Sequence, residues 1–271
     1  MAFIEINNIN VHYECWNERG HETIVLLHGF TGSTKTWHEV AALLPTTYRI
    51  IAVDLIGHGR TDSPEDLTYY TMEYQVKLLH ELFEVLQLTQ FHLIGYSMGG
   101  RVALSYAVCY PEELVSLILE SATPGIKDEQ LRVERQQSDY TLARKIVQEG
   151  VKAFISFWEN IPLFATQKQL PAEKQAKLRN ERQNQQAIGL ANSLRMMGTG
   201  KMPEVWDHVA TLPMQTTVIT GELDTKFINI ANAMQRENKR IHHIIVPSVG
   251  HAIHVENSQK FATIVKEAIS N

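Results

Sequence analysis

Two periodic patterns of apolar residues alternate along this chain, and they predict strands and helices in turn. Residues 3–16 alternate as the two strands of a β-hairpin do, with the turn at Asn8. Apolar positions at helical spacing predict a helix over 72–88, and further helices follow Ser97 to about residue 110 and begin near Ser258. Short, nearly continuous apolar runs predict buried strands at 23–28, 48–54, 91–94, 114–120, 215–220 and 241–247.

The order of these elements predicts an α/β protein with a mostly parallel central sheet flanked by helices, because parallel neighbours need helical crossovers. The stretch 123–207 departs from the alternation: it has helical patterns, four prolines and no convincing strand. We interpret it as a helical cap inserted over the core. The expected organisation is therefore 1–122 as the first part of the core, 123–207 as the cap and 208–271 as the second part of the core.

The composition of the chain disfavours several classes of protein. The 271 residues are 44% hydrophobic and 20% charged, with a formal net charge of -5, so non-specific nucleic-acid binding is disfavoured. The first residues lack a basic region followed by an apolar run, and no apolar stretch reaches the length of a membrane span. Cys15 and Cys109 make no metal-type spacing, and we expect two buried free thiols in a reducing cytoplasm.

The segment 95–100 reads Gly-Tyr-Ser-Met-Gly-Gly and directly follows the apolar run 91–94. A strand that ends in this pattern and continues as a helix forces the serine into a tight turn, with glycines where side chains would collide. The hydroxyl of Ser97 is then exposed above the sheet, at the N-terminal end of a helix. We therefore predict Ser97 as the catalytic serine. The alternative is a glycine-rich turn in which the serine has no catalytic role.

A catalytic serine needs a base, and the base needs an acid that orients it. With a serine in such a turn, the acid and then the histidine are expected on later loops that follow strands. Asp224 follows the strand at 215–220, and His251 follows the strand at 241–247. Glu222 is the rival acid. His254 follows His251 by three residues, but without an intervening Glu we interpret it as structural and predict no metal site.

The same geometry predicts an oxyanion hole made of two backbone N–H groups. One belongs to Met98, the residue after the serine, and the other belongs to Phe30, in the loop that follows His28 and Gly29.

Charge is distributed unevenly between the predicted cap and the rest of the chain. Residues 123–212 hold 13 Lys and Arg against 10 Asp and Glu, whereas the remainder holds 12 against 20. A positive cap over a negative body favours an anionic substrate between them, although the cap charges equally fit solvated helix faces. Arg101 lies one helical turn after Ser97 and would pair well with a carboxylate. Alternatively, it turns outward to a surface acid.

The chain resembles the α/β-hydrolase-fold superfamily over its full length. More narrowly, it resembles the 2-succinyl-6-hydroxy-2,4-cyclohexadiene-1-carboxylate synthases of menaquinone biosynthesis. This family removes a ring proton and expels pyruvate from 2-succinyl-5-enolpyruvyl-6-hydroxy-3-cyclohexene-1-carboxylate, with the triad serving as a base system. The resemblance rests on segments 28–33, 54–59, 95–101, 121–125, 157–158, 189–191 and 250–256.

The resemblance implies which residues contact the substrate, a small molecule with several carboxylates. It assigns this role to Tyr96, Arg101, Arg135, Trp158 and Arg182. Arg132 and Arg179, each three residues away, are rivals for the two cap arginines, and core packing is the alternative role of Trp158. We expect no cofactor, no nucleic acid, no membrane insertion and a monomer or homodimer.

The runner-up function is a serine hydrolase, either a carboxylesterase or a C–C bond hydrolase, that acts on an anionic small molecule. The same triad serves both reactions, so the triad does not separate them. Haloalkane dehalogenases and epoxide hydrolases are disfavoured because their nucleophile is Asp. A catalytically inactive receptor is disfavoured because all three triad residues are present.

Overall fold

The structure is a computed structural model that describes residues 2–270. The described residues form a sheet of eight strands in the order β1-β2-β4-β3-β5-β6-β7-β8. The strands are β1 (Ala2–Ile6), β2 (Ile9–Trp16), β3 (Glu22–Leu27), β4 (Tyr48–Val53), β5 (Phe91–Tyr96), β6 (Leu114–Glu120), β7 (Gln215–Gly221) and β8 (His242–Val246).

Helices connect these strands. The α-helices are α1 (His38–Leu43), α2 (Met72–Val85), α3 (Met98–Cys109), α4 (Glu129–Trp158), α5 (Ala172–Gln183), α6 (Ala187–Met197), α7 (Trp206–Val209), α8 (Thr225–Glu237), α9 (Ile253–Glu256) and α10 (Ser258–Ser270). Short 3-10 helices lie at Thr34–Trp37, Leu67–Tyr70, Pro111–Glu113 and Pro162–Gln169.

The sheet begins with the predicted hairpin. Asn7 and Asn8 adopt positive φ values of 50° and 63°, as a two-residue hairpin turn requires, and Ile6 pairs with Ile9. β1, β2 and β4 are antiparallel neighbours, and every later pairing is parallel. The predicted α/β fold with a mostly parallel sheet is confirmed.

Side chains of the central strands alternate between two apolar layers. In β3, Val25 and Leu27 contact the layer formed with α2 and α3, whereas Ile24 and Leu26 face the layer formed with α1 and α10. Both faces of the strand are thus buried, which explains its unbroken apolar run. The carboxyl ends of the parallel strands are left free to carry the functional loops.

The region between β6 and β7 contributes α4 to α7 and no strand among its described residues. It has an apolar cluster of its own, in which Phe154 and Ile155 of α4 pack with Leu190 and Leu194 of α6. α4 is interrupted at Gly150, where φ is 82°.

The structure also bears on membrane-spanning helices and on the two cysteines. Nowhere in residues 2–270 is a helix long and apolar enough to span a bilayer. The expectation of two buried thiols is wrong: both cysteines are free, but Cys109 is exposed and Cys15 is half-buried. Cys109 is the last residue of α3, where the helix leaves the apolar layer.

Candidate active site

Ser97 stands in a strained turn between β5 and α3. Its φ of 50° and ψ of -103° are unfavourable for a residue with a side chain, and such strain clusters at functional sites. The turn is possible because its neighbours are glycines. A Cβ on Gly95 would lie 2.3 Å from the carbonyl oxygen of Gly99, and a Cβ on Gly99 would lie 2.3 Å from that of Leu27.

Three side chains from separate loops meet at this turn. Nε2 of His251 lies 3.0 Å from Oγ of Ser97, and its Nδ1 lies 2.7 Å from Oδ2 of Asp224. Asp224 follows β7 and His251 follows β8, so the carboxyl ends of neighbouring strands bring them together. The rival acid, Glu222, is exposed and accepts a hydrogen bond from the N–H of Ser248 instead. This geometry is that of a serine, a base and an orienting acid.

The two predicted oxyanion donors lie beside the serine. Phe30 and Met98 both line the cavity that contains Ser97. Within residues 2–270, neither of their N–H groups donates a hydrogen bond to another residue. Both donors are therefore available for a developing negative charge.

The Ser97 cavity has a volume of about 110 Å³ and lies between the core and the α4–α6 region. Apolar and aromatic side chains form much of its wall, and cations occupy one part of it. Its lining includes Phe30, Tyr96, Ser97, Met98, Arg101, Arg135, Trp158, Phe164, Lys226, Phe227 and His251.

Arg101 is buried, with 8% of its surface exposed, so the alternative in which it turns to a surface acid is wrong. Its Nη1 donates hydrogen bonds to the carbonyl of Met197 at 2.5 Å and to the sulfur of Met202 at 3.4 Å. Burial, followed by the nearby Arg135, lowers the pKa of Arg101 to about 10. The side chain remains a cation at neutral pH, and no acid is in contact with it among the described residues.

Arg135 reaches the same cavity from α4. Its Nε donates to Oδ1 of Asp139 at 2.8 Å, one helical turn later. Asp139 is itself buried, and burial raises the pKa of its carboxyl group. The rival residue, Arg132, does not belong to the lining of this cavity.

Two aromatic side chains predicted to contact the substrate also line the cavity. Trp158 packs against Phe154, Phe30 and Phe164 at ring-centroid distances of 5.5, 5.5 and 5.8 Å. Trp158 therefore packs in the apolar cluster and also lines the Ser97 cavity. Burial, followed by the charge of Glu120, raises the pKa of Tyr96 well above its usual value, so its hydroxyl stays protonated.

Arg182, predicted to contact the substrate, lines a neighbouring cavity that shares Phe30, Tyr96 and Phe164 with the Ser97 cavity. It is absent from the described lining of the Ser97 cavity, and its guanidinium lies 4.9 Å from the ring centroid of Phe164. Its Nη2 donates to Oε1 of Gln167 at 2.8 Å. Its rival, Arg179, is further outside and forms a bidentate ion pair with Glu159. Phe164 thus packs against the guanidinium of Arg182 and also lines the Ser97 cavity.

Sequence reasoning missed several cavity residues. Phe164 comes from the 3-10 helix of the α4–α6 region, and its side chain faces His251 at a centroid distance of 6.3 Å. Lys226 and Phe227 lie in the first turn of α8, two and three residues after Asp224. The sequence feature that could have revealed Lys226 is its position at a helix N-terminus, where a cation is unfavourable.

The remaining histidines near the site have structural partners. His254 lies 2.8 Å from the carboxylate of Glu120 through Nδ1 and contacts Thr36 through Nε2. His28 accepts a hydrogen bond from the N–H of Leu55 at 3.0 Å. Burial, followed by the charge of His28, lowers the pKa of His58 to about 3, so that side chain is neutral. Across residues 2–270, no three acidic, histidine or cysteine side chains form a group that could hold a metal ion.

The chain is similar to proteins of one family. Residues 22–258 match the family model of the alpha/beta hydrolase fold. A Bacillus subtilis (strain 168) protein provisionally named 2-succinyl-6-hydroxy-2,4-cyclohexadiene-1-carboxylate synthase is 42% identical over 92% of this chain and 91% of its own. The synthase of that name from Enterobacter sp. (strain 638) is 29% identical over 92% of each chain.

A solved structure agrees with these sequence comparisons. MenH from S. aureus is 35% identical and superimposes with a TM-score of 0.91, over 96% of this chain and 98% of that one. The chain belongs to the α/β-hydrolase fold family and, within it, to the family of 2-succinyl-6-hydroxy-2,4-cyclohexadiene-1-carboxylate synthases.

Proposed function

We propose that this chain is a carbon–oxygen lyase of menaquinone biosynthesis. It converts 2-succinyl-5-enolpyruvyl-6-hydroxy-3-cyclohexene-1-carboxylate into 2-succinyl-6-hydroxy-2,4-cyclohexadiene-1-carboxylate and pyruvate. The observation that carries this proposal is the buried cation Arg101, one helical turn after Ser97 and in the same cavity. A buried guanidinium without an acid partner suits a carboxylated substrate and has no use with a neutral ester.

In this reaction the ring proton beside the succinyl carbonyl is removed. Ser97 takes that proton after passing its own to Nε2 of His251, and Asp224 holds the imidazole by its Nδ1. The ring double bond then shifts, the C–O bond to the enolpyruvyl group breaks, and a conjugated diene forms. The proton is returned to the departing enolpyruvate, which becomes pyruvate.

Negative charge develops on the succinyl carbonyl oxygen as the proton leaves. The N–H groups of Phe30 and Met98, which have no other acceptor among the described residues, supply an oxyanion hole for that charge. Arg101 and Arg135 hold substrate carboxylates and so orient the ring toward Ser97. Tyr96 and Trp158 contact the ring, and Arg182 is assigned a substrate role through the family only.

We further propose that residues 123–207 act as the helical cap, with 1–122 and 208–271 as the two parts of the core. Contacts between these regions support this division. The side-chain amide of Gln185 accepts from the N–H of Gly59 at 2.8 Å and donates to the carbonyl of Gly32 at 3.1 Å. Ser33 donates to Glu181 at 2.7 Å. The expectations of a cytoplasmic monomer or homodimer without nucleic acid remain predictions.

The test compares two reactions of the purified protein. One assay follows pyruvate release from the enolpyruvyl cyclohexene substrate, and the other follows hydrolysis of p-nitrophenyl acetate and butyrate. Fast pyruvate release with feeble ester hydrolysis is the expected result. Brisk ester hydrolysis without pyruvate would assign the chain to the serine hydrolases, with the arginines selecting an anionic ester.

A further inference from the structure

Three cationic side chains reach the Ser97 cavity from three different elements. They are Arg101 from α3, Arg135 from α4 and Lys226 from α8. The buried acids beside them are Asp139, one of whose oxygens bonds to Arg135 at 2.8 Å, and Asp224, which bonds to His251 at 2.7 Å. Two carboxylates cannot balance three cations, so this part of the cavity carries excess positive charge. The excess favours a ligand with more than one negative group.

Lys226 is the unexpected member of this group. It is the second residue of α8, and the N-terminus of a helix carries a partial positive charge that disfavours a lysine. The preceding Asp224 does not neutralise it by contact, because that carboxylate bonds to His251 at 2.7 Å. Departures from local preference of this kind are expected at functional positions.

The ammonium group of Lys226 has no hydrogen bond or ion pair with any residue in the described part of the chain. It lies over the ring of Phe227, 5.5 Å from the centroid, and Phe227 also lines the cavity. Burial, followed by the charge of Arg135, lowers the pKa of Lys226. Although Lys226 as a whole is exposed, it lines the cavity, and its ammonium group has no acid in contact among the described residues.

We propose that Lys226 binds one carboxylate of the substrate, as a third cation beside Arg101 and Arg135. Its contribution is specificity for a ligand that carries three carboxylates, which is the number on the proposed substrate. This inference rests on the proposed function for the identity of the ligand. The cation cluster itself is a property of the structure.

A pH dependence follows from this role. The charged groups that face Lys226 are Arg101 on α3, Arg135 and Asp139 on α4, Asp224 before α8 and His251 after β8. Only the protonated ammonium binds a carboxylate, and its pKa is below that of an ordinary lysine. The affinity for substrate should therefore fall as the pH rises into the alkaline range. An arginine at this position would stay charged and retain that affinity.

The experiment compares Lys226→Met and Lys226→Arg with the wild type. Lys260→Met is the matched control, since Lys260 is an exposed lysine in the first turn of α10. We expect Lys226→Met to lower kcat/KM for pyruvate release about 10- to 100-fold, mainly through KM. Lys226→Arg should restore most of that loss and extend activity to higher pH. Lys260→Met should match the wild type.

A binding measurement separates this inference from the proposed function. Citrate serves as a simple tricarboxylate probe, and calorimetry gives its affinity for the Ser97→Ala protein with and without Lys226→Met. Weaker citrate binding on loss of the lysine supports the inference even if the wild type releases no pyruvate, which would refute only the proposed function. Unchanged citrate affinity, KM and pH profile in Lys226→Met would overturn it. The inference would also be overturned if Lys226→Met and Lys226→Arg lost activity equally and only through kcat.

Discussion

Glu120 and His254 form a fully buried pair beneath the active site, with 2.8 Å between the carboxylate of Glu120 and Nδ1 of His254. Glu120 also binds Ser97, because the backbone carbonyl of Glu120 accepts a hydrogen bond from the N–H of Ser97 at 2.8 Å. His254 lies three residues after His251 in the chain. The pair therefore connects the strand that supports the serine to the loop that carries the base.

Replacing Glu120 with Gln should destabilise the protein. The variant keeps one acceptor but presents an N–H₂ group where His254 needs an oxygen, and a buried polar group left without its partner costs about 1–3 kcal/mol. We expect the free energy of unfolding in urea to fall by about that amount. The exposed Glu112→Gln is the control. Equal stability of Glu120→Gln and the wild type would contradict a structural role for the pair.

Arg101→Met should weaken use of the carboxylated substrate. Loss of a charge-assisted contact costs about 1.5–3 kcal/mol, which corresponds to a decrease of about 10- to 100-fold in kcat/KM for pyruvate release. Hydrolysis of the uncharged p-nitrophenyl acetate should change little. Arg236→Met, at an exposed position of α8, should behave as wild type in both assays. A wild-type KM for Arg101→Met would remove the argument for an anionic substrate.

Asp54 should stabilise the protein in a pH-dependent manner. Its burial alone would raise the pKa, but hydrogen bonds from His12 and from the N–H groups of Arg60 and Thr34, with the charge of His28, lower it below its usual value. Because the folded pKa is depressed, the stabilisation is complete above the unfolded value of about 3.9 and is lost as the pH falls through the folded pKa. The cost of Asp54→Asn in urea unfolding should therefore be constant from neutral pH to about pH 4 and decrease below it.

Asp139 should show the opposite dependence. Burial raises the pKa of its carboxyl group despite the nearby Arg135. A raised folded pKa gives a stabilisation that is complete below the unfolded value of about 3.9 and is lost as the pH rises through the folded pKa. Asp139→Asn should therefore gain stability relative to the wild type when the pH is raised from about 4 to neutrality. Parallel pH profiles for the Asp54 and Asp139 variants would contradict these assignments.

Much of the fold could be predicted from the sequence, because buried parallel strands require unbroken apolar runs. The run at 114–120 coincides with β6, and the hairpin turn is made by Asn7 and Asn8, residue types that tolerate positive φ. The order of Ser97, Asp224 and His251 could be predicted for a related reason, since loops after parallel strands meet at one edge of the sheet. Their catalytic roles stay predictions that the mutants test.

The positions of cap side chains could not be predicted in the same way. No strand register relates residues 123–207 to Ser97, so distance along the chain did not reveal that Phe164 lines the Ser97 cavity while Arg182 packs on Phe164 outside that lining. The exposure of Cys109 depends on where α3 leaves the apolar layer, which a helical pattern locates only within a residue or two. Lys226 was overlooked because an isolated lysine is usually a solvated surface residue.

The most direct test of the central claim is the rate of pyruvate release by the wild type and by Ser97→Ala under identical conditions. The proposed function requires the Ser97 hydroxyl as the group that takes the ring proton. We predict that the wild type releases pyruvate rapidly and that Ser97→Ala is slower by a factor on the order of 1,000 or more, with an unchanged fold by circular dichroism. Pyruvate release by Ser97→Ala at the wild-type rate would contradict the claim.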